Sequence, residues 1–244
     1  MLTQPVIFVS DIHLHPSRPE TARLFNAFLA GPARAATALY ILGDLFDTWA
    51  GDDDIPTAFN AGICAALHEL SRSGTQLFFV PGNRDFLAGP RFAAAAGLAI
   101  LGDETVVSIA GTPTLILHGD TLCTDDHEYQ DFRALVRSAQ WQAEFLAQPL
   151  HERKTAIEVL RQRSIEETRK KSMAIVDVNA DAVLAAFARH RVARMIHGHT
   201  HRPARHTHGA GATLERWVLP EWHNGGGYLA CAAAGCHAMP FPAQ

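Results

Sequence analysis

Val6-Ile7-Phe8-Val9-Ser10-Asp11-Ile12-His13 decides the fold: a continuous apolar run stops abruptly at a serine, a carboxylate and an imidazole. The run is apolar at every position rather than at alternate ones, which predicts a strand covered on both faces. The same design recurs at Leu39 to Leu42, Leu77 to Val80, Thr114 to Leu117 and Arg194 to Ile196, each run ending in Gly, Asp, His or Asn. Helical patterns at Glu20 to Ala30 and Pro56 to Ser73 separate the first three runs. A β-α-β-α-β rhythm of this kind predicts an α/β fold with helices packed on a sheet, and such sheets place their sites just beyond the strand ends. Further strands are predicted at Leu214 to Leu219 and Tyr228 to Ala232, separated by a Gly225-Gly226-Gly227 turn, so the C-terminal third reads as a second, antiparallel portion of sheet.

The residues past each strand end share one chemistry. Asp11 and His13 lie two apart on an extended segment and so point to the same side. Gly43-Asp44-Leu45-Phe46-Asp47, Gly82-Asn83-Arg84-Asp85, His118-Gly119-Asp120 and His197-Gly198-His199-Thr200-His201 follow the other four runs in order. Singly, each has a plain reading as a polar turn, a helix cap or a hydrogen-bonded surface histidine. Together they bring two Asp, one Asn and four His to one cleft, too many ligands for a single ion. The mixture suits Mn²⁺, Fe²⁺ or Zn²⁺ better than thiophilic metals. A carboxylate such as Asp44 can bridge two such ions, and the pair can activate water and clamp a phosphoryl group.

Composition narrows the class. With 244 residues, 48% hydrophobic and 19% charged, the chain has the apolar surface for one sizeable core. A net charge of −4 argues against coating nucleic acid through the overall field. No stretch approaches the roughly 20 apolar residues of a spanning helix, and the N-terminus has no basic, cleavable leader. The four cysteines form no C-x-x-C pair, so no zinc knuckle or redox dithiol is expected and a reducing cytoplasm fits. After Asp120 about fifty residues, to roughly Val176, read as helices without a strand, an insertion. Leu150 to Ser172 carries seven Arg or Lys (Arg153, Lys154, Arg161, Arg163, Arg169, Lys170, Lys171) against four Glu. Leu135, Val136, Phe145, Leu146, Ile157, Val159 and Leu160 are candidates for its apolar face.

D-x-H, G-D-x-x-D, G-N-x-D, a lone His-Gly and G-H-x-H, in this order, resemble the calcineurin-like metallophosphoesterase superfamily over residues 1 to 120 and 190 to 244. The resemblance implies a two-sheet β-sandwich flanked by helices. It assigns one divalent ion to Asp11, His13, Asp44 and His201 and another to Asp44, Asn83, His118 and His199, with His197 outside the ligand set. Most members carry His after the Asn, an acid for alkoxide leaving groups. Arg84 stands there in this chain, cannot act as an acid at neutral pH, and points to a leaving group that is already good, such as a phosphate.

Within that superfamily Ser10 to Leu14, Gly43 to Asp47, Gly82 to Asp85, His118 to Asp126, Asp177 to Asn179 and His197 to Pro203 resemble the UDP-2,3-diacylglucosamine diphosphatases of lipid A biosynthesis. That likeness implies water attack on the α-phosphorus with Mn²⁺ as the usual metal. It divides the chain into a core, 1–120 and 177–244, and a helical lid, 121–176, over the acyl chains. It places substrate contacts at Asn83, Arg84, Asp126, Ser164, Lys171 and His199, and at Thr168 where the family usually has Asn. Asp44, Asn83, Arg84 and His199 become the catalytic set. The implied partners are a UDP-linked diacylated glucosamine lipid and the cytoplasmic face of the inner membrane, touched peripherally, with no nucleic acid and no obligate protein. The competing expectations are another phosphoesterase of the superfamily, or a sandwich that has lost catalysis.

Overall fold

A computed structural model describes residues 4–170, 175, 177–223 and 225–242; over 163–170 it describes the backbone. Two sheets lie face to face between helical layers. The first has the order β11-β10-β1-β2-β3-β4, from β1 (Val6–Val9), β2 (Ala38–Leu42), β3 (Gln76–Val80), β4 (Ala99–Ile100), β10 (Gly226–Ala232) and β11 (Gly235–Phe241). β1 to β4 run parallel, while β10 joins β1 antiparallel with Ile7 opposite Ala230. The second has the order β5-β6-β7-β9-β8, from β5 (Glu104–Ile109), β6 (Thr112–Leu117), β7 (Arg194–His197), β8 (Ala204–His208) and β9 (Leu214–Val218).

Strand alternation builds three apolar layers from continuous runs. Phe8, Tyr40, Leu42, Val80, Ile116 and Ile196 meet between the sheets. Ile7, Val9, Leu39, Ile41, Leu77 and Phe79 face the other way, onto α1 (Pro19–Ala30), α2 (Ala58–Arg72) and α3 (Pro90–Ala96). Leu115, Leu117 and Met195 pack on Val183, Ala186 and Phe187 of α7 (Ala180–His190). Each fully buried large side chain contributes about 1.5–3 kcal/mol, so the central strands are pinned from both sides.

Between β6 and α7 lie three further helices, α4 (His127–Val136), α5 (Ala139–Leu146) and α6 (Leu150–Lys170). Asp126 caps α4 by accepting from the Tyr129 amide, Ser138 caps α5 through Trp141, and Asn179 caps α7 through Asp181 and Ala182.

The C-terminal third departs from its sequence reading. β9 runs parallel to β7 in the second sheet and β10 antiparallel to β1 in the first, so the two strands flanking the triple-glycine segment belong to different layers. The antiparallel partners are instead β8 for β9 and β11 for β10. Gly226 and Gly227 begin β10 rather than forming a turn, and a Cβ on Gly226 would lie within 3 Å of the Trp222 ring. The sequence reading also paired no cysteines: Cys231 and Cys236 face each other across the β10–β11 hairpin, Cα atoms 4.1 Å apart, and form a disulfide. Their spacing is not C-x-x-C, and only the hairpin register makes them neighbours.

Candidate active site

All seven side chains expected to ligate metal meet at the C-terminal ends of β1, β2, β3, β6 and β7. Five of them, Asp11, His13, Asp44, His199 and His201, have φ between 52° and 69°, a left-handed conformation that L residues rarely adopt. The backbone is thus bent at the expense of local strain to turn these groups inward, a concentration found at functional sites. Neighbouring glycines make room. A Cβ on Gly82 would collide with Asp44, and one on Gly198 with Ser10 and Asp11.

The donor atoms form two adjoining groups. His13 Nε2 and His201 Nε2 are 3.4 Å apart, and His201 Nε2 is 3.3 Å from Asp11 Oδ1. In the second group Asn83 Oδ1 lies 2.9 Å from His118 Nε2 and 3.0 Å from His199 Nδ1, and these nitrogens are 3.2 Å apart. Asp44 stands between them, Oδ2 at 3.9 Å from His13 Nε2 and Oδ1 at 3.6 Å from His118 Nε2.

The opposite faces of the rings fix what points inward. His118 Nδ1 donates to the Leu42 carbonyl at 2.8 Å, so in the neutral ring its Nε2 carries a lone pair, while His201 Nδ1 stands 2.9 Å from a Glu221 carboxylate oxygen. The lone pair of neutral His118 then faces the Asn83 oxygen, and Asp11 Oδ1, 3.3 Å from His201 Nε2, is buried without a hydrogen-bond donor among the described residues. An acceptor facing an acceptor and a buried oxygen without a donor fit divalent cations bound by N and O donors.

The charges respond accordingly. His118, although buried, is pushed up to about 9 by the Asp44, Asp11 and Asp120 carboxylates. Burial depresses His13 and His199 to about 4. Burial and the adjacent Asp11 raise Asp44, whereas the neighbouring His201, His118 and His13 imidazoles hold Asp11 low despite its burial.

Several supporting residues escaped the sequence reading. Asp85 accepts from the backbone amides of Asp44, Leu45, Phe46 and Gly82 and so holds two ligand turns together. Its place in G-N-R-D was visible, but its partners, some forty residues earlier, were not. Glu221 had no signal. Asp120 accepts from Tyr129 Oη and Arg133 Nε, both at 2.7 Å, fastening α4 beside His118.

A cavity of about 300 Å³ opens next to the cluster. Asn83, Arg84, Asp126 and Tyr129 line its polar end, and Trp49, Phe86, Phe132, Trp141, Phe145 and Leu160 its apolar end. The Arg84 guanidinium makes no hydrogen bond to protein among the described residues; its loop is held instead through Arg84 N to Asp44 Oδ1 at 2.9 Å. Ser164 and Thr168 fall in the part of α6, 163–170, whose side chains are not described, and Lys171 lies outside the described residues.

The insertion's charges do not all face the cavity as a basic surface. Arg153 is buried, bonded to Asp53 and the carbonyls of Ala50 and Gln148. Lys154 pairs with Asp54 at 2.6 Å, and Arg161 with Asp47 at 2.6 Å. Nor do the apolar positions form one face: Val136 and Phe145 are buried, but Leu135, Leu146 and Val159 are exposed.

Fold and cluster define a metal-dependent phosphoesterase, with carboxylates and imidazoles collected at the strand ends of an αββα sandwich. The sequence pattern of the calcineurin-like phosphoesterases matches residues 4–203, and the chain belongs to that family. It is 52% identical over 230 residues, 94% of each chain, to the UDP-2,3-diacylglucosamine hydrolase of Aromatoleum aromaticum. It is 46% identical over 237 residues to the enzyme of that name in Escherichia coli O81, covering 97% of this chain and 98% of the other. Among solved structures, a dimetal phosphatase from Danio rerio shares the fold with a TM-score of 0.52 at 13% identity, covering 99% and 100% of the two chains.

Proposed function

We propose that this chain hydrolyses the diphosphate of UDP-2,3-diacylglucosamine, the lipid named for its relatives, giving UMP and 2,3-diacylglucosamine 1-phosphate. The observation that carries the reading is the Arg84 guanidinium, which lines the cavity and makes no hydrogen bond to protein among the described residues.

Two Mn²⁺ ions are the proposed cofactor, one with Asp11, His13, Asp44 and His201, the other with Asp44, Asn83, His118 and His199. When bound they supply Lewis acidity that lowers the pKa of water and offsets charge on phosphoryl oxygens. Water attacks the α-phosphorus, giving up a proton to solvent, and the bond to the bridging oxygen breaks. Arg84 donates to the phosphoryl oxygens as their charge grows. It keeps its proton, and the sugar phosphate, already a stable anion, leaves without one. Asp126, which lines the cavity, is proposed to accept from the sugar or nucleoside hydroxyls, and Ser164, Thr168 and Lys171 are proposed as further substrate contacts.

The proposed lid, 121–176, covers the acyl chains with Trp141, Phe145 and Leu160. Exposed Phe132, Leu135, Leu146 and Val159 support peripheral contact with the cytoplasmic face of the inner membrane. Among the described residues no helix is long and apolar enough to cross a membrane. Incubation with UDP-2,3-diacylglucosamine and Mn²⁺ in ¹⁸O-labelled water tests the reading. Label is expected in UMP; label in the sugar phosphate instead, or faster turnover of p-nitrophenyl phosphate, would refute it.

A further inference from the structure

Behind the ligand cluster, on the outer face of the second sheet, a guanidinium is buried among imidazoles. Arg216 of β9 is 6% exposed and donates from Nη1 to His197 Nε2 at 2.9 Å and from Nε to His208 Nε2 at 3.2 Å. It forms no ion pair with a carboxylate among the described residues. Burying a cation this way costs stability rather than adding it, so the pair needs another explanation.

His197 supplies one. Its ring is fully buried at the end of β7, wedged between two ligand turns: Nδ1 lies 2.9 Å from the Gly198 carbonyl, and a Cβ on Gly119 would stand 2.7 Å from the same nitrogen. Arginine can only donate, so Nε2 must accept, which leaves the proton on Nδ1 to meet the carbonyl. The Gly198 amide donates to the His118 carbonyl at 2.8 Å. The next amide, of His199, donates to Asp11 Oδ2 at 2.9 Å, which leaves Oδ1 directed at His201.

We propose that Arg216 and His197 are a positioning pair: Arg216 fixes the His197 tautomer, and His197 fixes the Gly198–His199 backbone that aims Asp11 and His199 at the metal ions. The inference rests on the metal reading of the site.

The test uses the metal-free full chain, with Mn²⁺ affinity measured by competition against a fluorescent chelator. Arg216→Met is expected to weaken Mn²⁺ binding about 10–100-fold, as loss of a ligand's supporting partner does, while thermal stability is held or raised because a buried cation is removed. Arg216→Lys keeps a donor and is expected to restore most of the affinity. Unchanged affinity in Arg216→Met, or equal losses of affinity and melting temperature in both variants, overturns the pair. A parent protein that takes up no Mn²⁺ defeats the metal reading itself. If that happens, or if Arg216→Met does not fold, the ¹⁵N spectrum of histidine-labelled parent protein decides, with the His197 signals identified by their loss in His197→Asn. The Nδ1–H tautomer is expected, and an Nε2–H ring overturns the proposal.

Discussion

The ligand cluster and the helical insertion are built by opposite means. In the cluster, backbone geometry does the work: five candidate ligands sit at positive φ, and glycines at 82 and 198 leave no room for a methyl group. In the insertion, side chains do it. α6 is tied to the core by Arg153 to Asp53, Lys154 to Asp54 and Arg161 to Asp47, while Leu135, Leu146 and Val159 remain exposed. A strained, close-packed turn has one arrangement, which suits groups that must converge to within ångströms. Ion pairs at a boundary can open and re-form, which suits the cover proposed above for a large amphipathic substrate.

The strongest way to break the comparison is at its centre. Asp44→Ala removes the carboxylate between the two groups and is expected to cost about three orders of magnitude in kcat or more, given the several kcal/mol that metal-assisted charge stabilisation supplies. Steady-state assay with Mn²⁺, alongside circular dichroism to verify the fold, measures it. Substantial turnover by a folded Asp44→Ala protein would show that the cluster is not the reaction centre.

Gly198→Ala attacks the backbone instead of a ligand. The added methyl collides with Ser10 and Asp11, so a loss of about 1–3 kcal/mol in stability is expected, together with a large fall in Mn²⁺ affinity. A urea melt and a metal titration read the two effects.

Arg153→Met tests the other region. It leaves the Ala50 and Gln148 carbonyls without their donor, a cost of about 1–3 kcal/mol per unsatisfied group at most. The expected signature is a several-fold rise in KM with kcat nearly kept, and a kcat loss as large as that of Asp44→Ala would erase the distinction between the regions.

The smallest effect is electrostatic. His118 titrates at about 9 in the metal-free fold, above its ordinary 6.5. Its protonated form therefore stabilises the metal-free protein fully below pH 6.5, and that contribution is lost as pH rises towards 9. Metal must displace this proton, so binding near pH 8 is expected to release protons. Calorimetry in buffers of different ionisation enthalpy detects the release.

Much of this was readable in one dimension. β1, β2, β3, β6 and β7 appear as continuous apolar runs because each is covered on both faces, and each ends in a polar ligand motif. β5 and β8 lack that signal. β5 exposes Val106 and Ser108 and half-buries Thr105, and β8, an edge strand, is polar after its first residue, Ala204-Arg205-His206-Thr207-His208. The insertion was legible as helical and basic, but not which cations the core would claim: Asp53 and Arg153 are a hundred residues apart.

The sequence by itself determined the chemistry of the cluster, since ligand types and their order along the chain are local facts, and carboxylate, amide and imidazole donors suit divalent cations. Tertiary structure alone decided which sheet received β9 and β10, that Cys231 would meet Cys236, that Arg153 would be buried, and that Arg216 would stand behind His197. Those outcomes depend on strand register and packing between distant segments, where the free energy of a contact belongs to both partners and is written in neither.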